Sequence, residues 1–175
     1  MNLRAASPAD RDALVVLARQ AFADAFGHIY DPRDLAAFLD TSRSPERWDA
    51  LIHDPQIAVT LAEEAGRLLG YSVLSANEGF AARPAPQPHR PATLGQLYCA
   101  REATGRGIGA ALMERALADA RGYGADAVQL SVYAENFGAQ RFYQRYGFAK
   151  VADIDFWVGS HRDDEFLYEL RLRLP

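Results

Sequence analysis

A glycine-spaced turn between an apolar segment and an amphipathic helix constrains this chain more than any other feature. Leu94 to Cys99 is strand-like, Thr104-Gly105-Arg106-Gly107-Ile108-Gly109 is the turn, and a helix starts directly from it. Gly109, Leu112, Met113, Ala116, Leu117 and Ala120 form the helix's apolar stripe, with Glu114, Arg115, Ala118 and Arg121 on the other side. That spacing belongs to a helix packed on a sheet. The first N–H groups of a helix lack intrahelical acceptors and sit at the positive end of its dipole, so they offer donors to an anion. Glycine lets the backbone approach a phosphate without a Cβ in the way. Arg106 can add a positive charge. The turn therefore reads as a diphosphate cradle.

Two common phosphate-binding folds match it poorly. A Rossmann unit needs an acidic residue about 20 positions on, near the end of the next strand. Glu135 does follow the strand Ala127 to Val132, but the cradle begins past residue 100 of 175, leaving too little chain for a doubly wound domain. A P-loop needs Gly-Lys-Ser/Thr at the helix start, and Gly107-Ile108-Gly109 supplies neither lysine nor hydroxyl. From this segment alone, a turn with no ligand also stays open.

A chain of 175 residues suits one domain with a full-sized core, so residues 1–175 are read as a single domain. Nineteen basic against 23 acidic residues give a net charge of −4, which argues against a general nucleic-acid binder. No apolar run reaches the roughly 18 residues of a membrane span, so no membrane partner is expected. Met1-Asn2-Leu3-Arg4-Ala5 lacks the apolar core and cleavage site of a signal peptide. The single cysteine, Cys99, excludes an internal disulfide and suits a cytoplasmic protein. His28, His53, His89 and His161 stand far apart, without ligand spacing, so no metal is expected.

Residues Asn2 to Ala5 read as a short strand, and Ser7-Pro8-Ala9-Asp10 as a helix start, with Leu14, Leu17, Ala18, Ala21 and Phe22 at helical spacing. Pro32 to Asp40 and Pro45 to His53 read as two further helices. Alternation at Ile57, Val59 and Leu61 indicates a strand, Ala65-Gly66-Arg67 a hairpin turn, and Leu69, Tyr71 and Val73 a second strand. Gly79 to Pro91 holds four prolines and reads as an irregular loop. After the cradle helix come a strand through Val128, Leu130 and Val132 and a helix from Phe137 to Tyr146 closed by Gly147. Two strands end the chain, about Phe148 to Val158 and Glu165 to Leu172, with polar Ser160 to Asp164 as their turn.

The cradle, the strand through Leu130, and Asn136-Phe137-Gly138-Ala139-Gln140-Arg141-Phe142-Tyr143-Gln144-Arg145-Tyr146-Gly147-Phe148 together resemble the GCN5-related N-acetyltransferases (GNAT). The specific motifs lie between about Leu94 and Phe148, and the element order extends over nearly the whole chain. The resemblance implies an α/β (α+β) fold. It should have a mixed, mostly antiparallel twisted sheet of six to seven strands, flanked by about four to five helices. It also implies an acyltransferase that uses acetyl-coenzyme A as cosubstrate and a small amine as acceptor. Carried over by position, the backbone of Leu97, Tyr98 and Cys99 pairs with the pantetheine arm. The amides of Thr104, Gly105, Arg106, Gly107, Ile108, Gly109 and Ala110 hold the pyrophosphate, and Asn136 contacts the cofactor. Tyr143 is the general acid that protonates the departing thiolate, and it too contacts the cofactor. Thr104 departs from the family pattern, which has arginine or glutamine there.

Each of these residues has a plainer reading. Tyr143 lies in the stripe Ala139, Phe142, Tyr143, Tyr146 and could be a core aromatic; Asn136 could simply cap the helix; Arg106 could be a solvated charge. Many family members have a glutamate on the strand before the cradle, where this chain has Gln96, and an amide cannot take a proton. The general base is thus open, with Glu78, Glu102 and Asp31 as candidates. Gln96 also leaves room for a coenzyme A-binding sensor or scaffold that catalyses little.

Phe22-Ala23-Asp24-Ala25-Phe26-Gly27-His28-Ile29-Tyr30, Asp34-Leu35-Ala36-Ala37-Phe38-Leu39 and Phe156-Trp157-Val158-Gly159 are similar to segments of bacterial polyamine acetyltransferases of the PaiA type. That likeness makes a polyamine the leading acceptor, received by Asp24, Asp31 or Asp34, with peptide N-termini, amino acids and aminoglycosides as alternatives. The acceptor pocket is expected among the N-terminal helices, the Pro-rich loop and the last two strands. Oligomeric state leaves no trace in the sequence.

Overall fold

Capping side chains followed by proline start the early helices, as the sequence suggests. The computed structural model describes residues 1–172. Ser7-Pro8 opens a 3₁₀ turn (Pro8–Asp10) before helix α1 (Arg11–Phe26), and the Asp10 carboxylate accepts from the Ser7 N–H and hydroxyl, each at 2.8 Å. Asp31 accepts from the Arg33 N–H at the start of α2 (Pro32–Ser42), and Ser44 from the Arg47 N–H at the start of α3 (Pro45–His53). Both satisfy an amide that the helix itself leaves unpaired. The remaining helices are α4 (Ile108–Gly122) and α5 (Phe137–Arg145).

Seven strands, β1 (Asn2–Ala5), β2 (Ile57–Glu64), β3 (Arg67–Ala76), β4 (Pro91–Cys99), β5 (Ala127–Tyr133), β6 (Ala149–Val158) and β7 (His161–Arg171), form one sheet in the order β1-β2-β3-β4-β5-β7-β6. Every neighbouring pair is antiparallel except β4–β5, whose parallel pairing is made possible by the crossover through α4. Leu14 and Ala18 of α1 and Trp48 and Leu51 of α3 pack on Val59, Leu61, Tyr71 and Val73 on one face. The stripe of α4 covers the other face, with Leu94, Val128, Leu130 and Val132 beneath it. No helix of the described residues is long and apolar enough to cross a membrane.

The last hairpin differs from the sequence expectation. Ser160 to Asp164 is not a turn: the turn is Gly159-Ser160, and β7 begins at His161, paired with Val158. The polar run belongs to a strand whose alternate side chains face outward, Arg162 pairing with Asp155 at 2.6 Å and with Asp164 at 2.9 Å, while Asp163 between them turns inward. Gly159 takes φ +57°, which lets the chain reverse in so short a turn. Likewise β4 starts at Pro91, earlier than the apolar pattern indicates, because Ala92 and Thr93 pair with β5.

The parallel pairing is short. It spans only Pro91↔Ala127 to Thr93↔Gln129, after which β4 continues alongside β3 to Cys99 while β5 continues alongside β7 to Tyr133. Gly95 has no partner in the β3–β4 register, which shifts at Val73/Leu74, and a bulge of this kind bends a strand. The two strands therefore splay, opening the sheet at its centre.

Candidate active site

The glycine turn is a row of free donors. Gly105 and Gly107 lie at φ +77° and +78°, and a Cβ built on either meets nothing within 4 Å, so it is the backbone angle that requires glycine there. The first amide of α4 with a backbone acceptor is Ala111, which donates to the Gly107 carbonyl at 3.0 Å. The amides of Gly105, Arg106, Gly107, Ile108, Gly109 and Ala110 have no acceptor among the described residues. They are the unpaired donors of a helix start, which fit a diphosphate. Ile108 anchors the turn by burying its side chain against Leu112 and Leu69. Gly70 of β3 lets α4 settle there: a Cβ would lie 2.8 Å from the Tyr98 carbonyl and 3.2 Å from Ile108 and Leu112. Nothing in the local sequence marked Gly70.

Two side chains of the turn are engaged elsewhere. The Arg106 guanidinium donates to Glu64 at 2.6 Å, so its charge is compensated at the end of β2 and the backbone supplies the local positive potential. The Thr104 hydroxyl donates to the Arg101 carbonyl at 2.8 Å.

Where β4 leaves β5, its free edge faces the gap. The Ala100 N–H donates to the Leu69 carbonyl of β3 at 2.8 Å. By alternation, Tyr98 also turns its backbone to β3, while Leu97 and Cys99 turn theirs toward the gap. Of the three backbones expected to meet a pantetheine arm, two are available; Tyr98 contributes its side chain to the opposite face, packed with Tyr71 at 5.8 Å. Cys99 lines the gap, and burial raises its thiol pKa, which suits a bystander rather than a nucleophile.

Tyr143 reaches the same gap from α5. Its ring stands against Phe142 and Phe148 at 5.4 and 6.0 Å, and its hydroxyl has no hydrogen-bond partner among the described residues. Burial, reinforced by Tyr98 and Glu165, raises its pKa, so the phenol keeps its proton at neutral pH. It is both a packed aromatic and a cleft residue. Asn136 likewise has two roles: its side chain caps α5 by accepting from the Ala139 N–H at 3.1 Å, and it lines the cleft.

The cleft around the gap has a volume of about 720 Å³ and passes to the α1/α2 side of the sheet. There it is lined by Asp24, Phe22 and Tyr30, by Arg43, by Gln96 of β4, and by Asp163 and Glu165 of β7. Asp163 is only 3% exposed and accepts a hydrogen bond from the Tyr30 hydroxyl, with His161 Nε2 3.0 Å from its other oxygen. Burial raises the Glu165 pKa, with the neighbouring Asp163 adding to the effect and the Ser131 hydroxyl opposing it. Gln96 accepts from the Tyr71 hydroxyl at 2.9 Å.

Several expectations about this side need correction. Glu102 pairs with Arg67 and Asp31 caps α2; neither they nor Glu78 line the cleft. Asp34 is turned to the Gly159-Ser160 turn, leaving Asp24 as the expected acidic receiver that lies in the cleft. The Pro-rich loop is absent from the cleft wall. It is held at the far end of the sheet, where Arg83 pairs with buried Glu169 at 2.8 Å and the Phe80 N–H donates to Gln129. Asp163 lies in the polar run that the sequence reads as a turn, and Glu165 at the first residue of the strand that follows it; strand alternation, carried back from Leu167, puts both on one face.

The family model described as the acetyltransferase (GNAT) family matches residues 19–148. An uncharacterised N-acetyltransferase of Mycobacterium tuberculosis is 32% identical over 158 residues, covering 90% of this chain and 95% of the relative. One from Lactobacillus delbrueckii is 25% identical, covering 95% and 94%. The crystal structure of a PaiA N-acetyltransferase from Thermoplasma acidophilum, in complex with coenzyme A, superposes with a TM-score of 0.78 at 24% identity, covering 98% of both chains.

Proposed function

This chain belongs to the GNAT family of acetyltransferases, and on that premise we propose that it transfers acetyl directly from acetyl-coenzyme A to a primary amine, with residues 1–175 acting as one domain. Acetyl-coenzyme A, the cosubstrate of this family, supplies an activated thioester. The amides of Gly105 through Ala110 bind its diphosphate, and the outward backbone groups of Leu97 and Cys99 extend the sheet edge to the pantetheine. Thr104 and Asn136 border this path, and the Arg106 side chain would have to leave Glu64 to join it. The observation that carries the proposal is the gap itself: free edge, free amides and an unpartnered tyrosine meet where β4 and β5 part.

The acceptor enters from the α1/α2 side. An alkylamine is mostly protonated at neutral pH and must lose a proton before it can attack. Glu165 is the carboxylate best placed to take it, since burial shifts its pKa toward the range of a base at neutral pH. Tyr143, on the opposite side of the gap, donates its proton to the leaving sulfur. Asp24, Asp163 and Glu165 give the acceptor side an acidic wall, which supports a cationic, polyamine-like acceptor.

Thiol release measured against a panel of polyamines, amino acids, peptides and aminoglycosides tests the proposal. Turnover with at least one is expected, and Tyr143→Phe should lower kcat by about 10²–10⁴-fold while KM for acetyl-coenzyme A stays within about twofold. Tight cofactor binding without turnover on any amine would instead mark a sensor or scaffold. Unchanged kcat in Tyr143→Phe would remove Tyr143 from the chemistry.

A further inference from the structure

Arg43 is a buried cation without a counter-charge. It follows the last residue of α2, its main-chain N–H donating to the Leu39 carbonyl at 3.0 Å, and its side chain is folded inward rather than into solvent. The residue is 7% exposed. The guanidinium lies over the rings of Phe22 and Phe38, 5.4 and 5.8 Å from their centroids. Its Nη1 donates to the Ser42 carbonyl at 3.0 Å, and its Nε has no partner. No carboxylate pairs with it among the described residues, and the buried Asp163 of the same cleft is engaged instead by Tyr30 and His161.

An unpaired charge held out of water is unfavourable, and aromatic faces and one carbonyl compensate it only partly. Arg43 nevertheless lines the cleft on the acceptor side, where its charge reaches the phenols of Tyr71 and Tyr98. Tyr98 also feels Glu165, and Tyr30 feels Asp163 and Glu165, so guanidinium, tyrosine hydroxyls and carboxylates line the same cleft. A diamine or polyamine has nothing to offer the guanidinium end and would be repelled by it. A guanidinium fork matches a carboxylate, and two parallel N–H donors give such a pair both strength and direction.

We propose that Arg43 is an acceptor-binding residue for a carboxylate, so that the acceptor is a diamino acid or a similar chain carrying a reacting amine at one end and a carboxylate at the other. This inference rests on the acetyl-transfer reading above and narrows its acceptor from a plain polyamine to one with an anionic group.

The test uses matched acceptors that differ only by the carboxylate: ornithine against 1,4-diaminobutane, and lysine against 1,5-diaminopentane. The full-length protein should show kcat/KM at least about tenfold higher for the carboxylated member of a pair, the range of one charge-assisted hydrogen-bonded contact. Arg43→Met should bring that ratio close to one, and Arg43→Lys should retain part of it; the readout is the preference rather than the absolute rate. Equal or better use of the plain diamines by the unmodified protein overturns the inference, whether or not either variant folds. So does a folded Arg43→Met protein that keeps the preference. Should no amine release thiol, the transferase reading itself fails. Calorimetric binding of the same pairs to the coenzyme A-loaded protein then decides Arg43 separately, with equal binding of both members overturning it.

Discussion

Replacing Gly107 separates what its backbone angle does from what its neighbours bind. At φ +78° an L-residue carries a conformational penalty of about 1–2 kcal/mol, yet a Cβ there meets no atom within 4 Å. Gly107→Ala should therefore lower Tm by only about 2–8 °C for a chain of this size. Gly107→Glu carries the same backbone cost and adds a carboxylate beside the unpaired amides. With a unit charge about 6 Å from the bound diphosphate and an effective dielectric of about 20–40 at this exposed turn, repulsion is about 1.5–3 kcal/mol per charge. Coenzyme A affinity should then fall by at least ten- to hundredfold relative to Gly107→Ala, and by less at high salt. Thermal unfolding establishes that both variants fold, and titration calorimetry at two salt concentrations reads the affinities. A folded Gly107→Glu protein that binds coenzyme A as tightly as Gly107→Ala would place the diphosphate elsewhere.

Glu165 gives two pH signatures. Because burial raises its folded pKa above the unfolded value, the unfolded chain gives up this proton at lower pH, and stability falls as pH rises from the unfolded pKa through the folded one. Glu165→Gln should thus match the unmodified protein near about pH 4 and exceed it in urea midpoint near about pH 7; equal midpoints at both would contradict a buried, raised carboxylate. As the base, Glu165 must be ionised, so Glu165→Gln should also remove the acidic limb of the kcat/KM profile, and a persisting limb would assign the base to another group. Gly159→Ala should destabilise by about 1–2 kcal/mol, mostly from φ +57°, since its Cβ would fall 2.1 Å from the Asp34 carboxyl carbon but that side chain can swing outward. Combining it with Asp34→Ala should recover only the smaller steric part, as read from urea unfolding; full recovery would mean the backbone angle costs little.

Local chemistry was legible because it is written in neighbouring residues. The caps at Asp31 and Ser44, the α4 stripe, the glycine turn and the Asn136–Tyr143 spacing each lie within a single turn or helix, so the sequence by itself determined those elements and the family they resemble. Tertiary structure alone decided which side chains meet. Asp163 and Glu165 become cleft residues only because β7 inserts between β5 and β6, and Gly70 matters only because α4 crosses β3. Glu78 and Glu102 satisfied the sequence yet lie outside the cleft, and the Pro-rich loop closes the wrong end of the sheet. Arg43 carries no local signal at all: a helix-terminal arginine is ordinarily solvated, and only the packing of Phe22 and Phe38 over it withdraws it from water. Charge and burial are properties of what long-range contacts surround a residue, and those contacts are set by strand order and register rather than by the residues on either side.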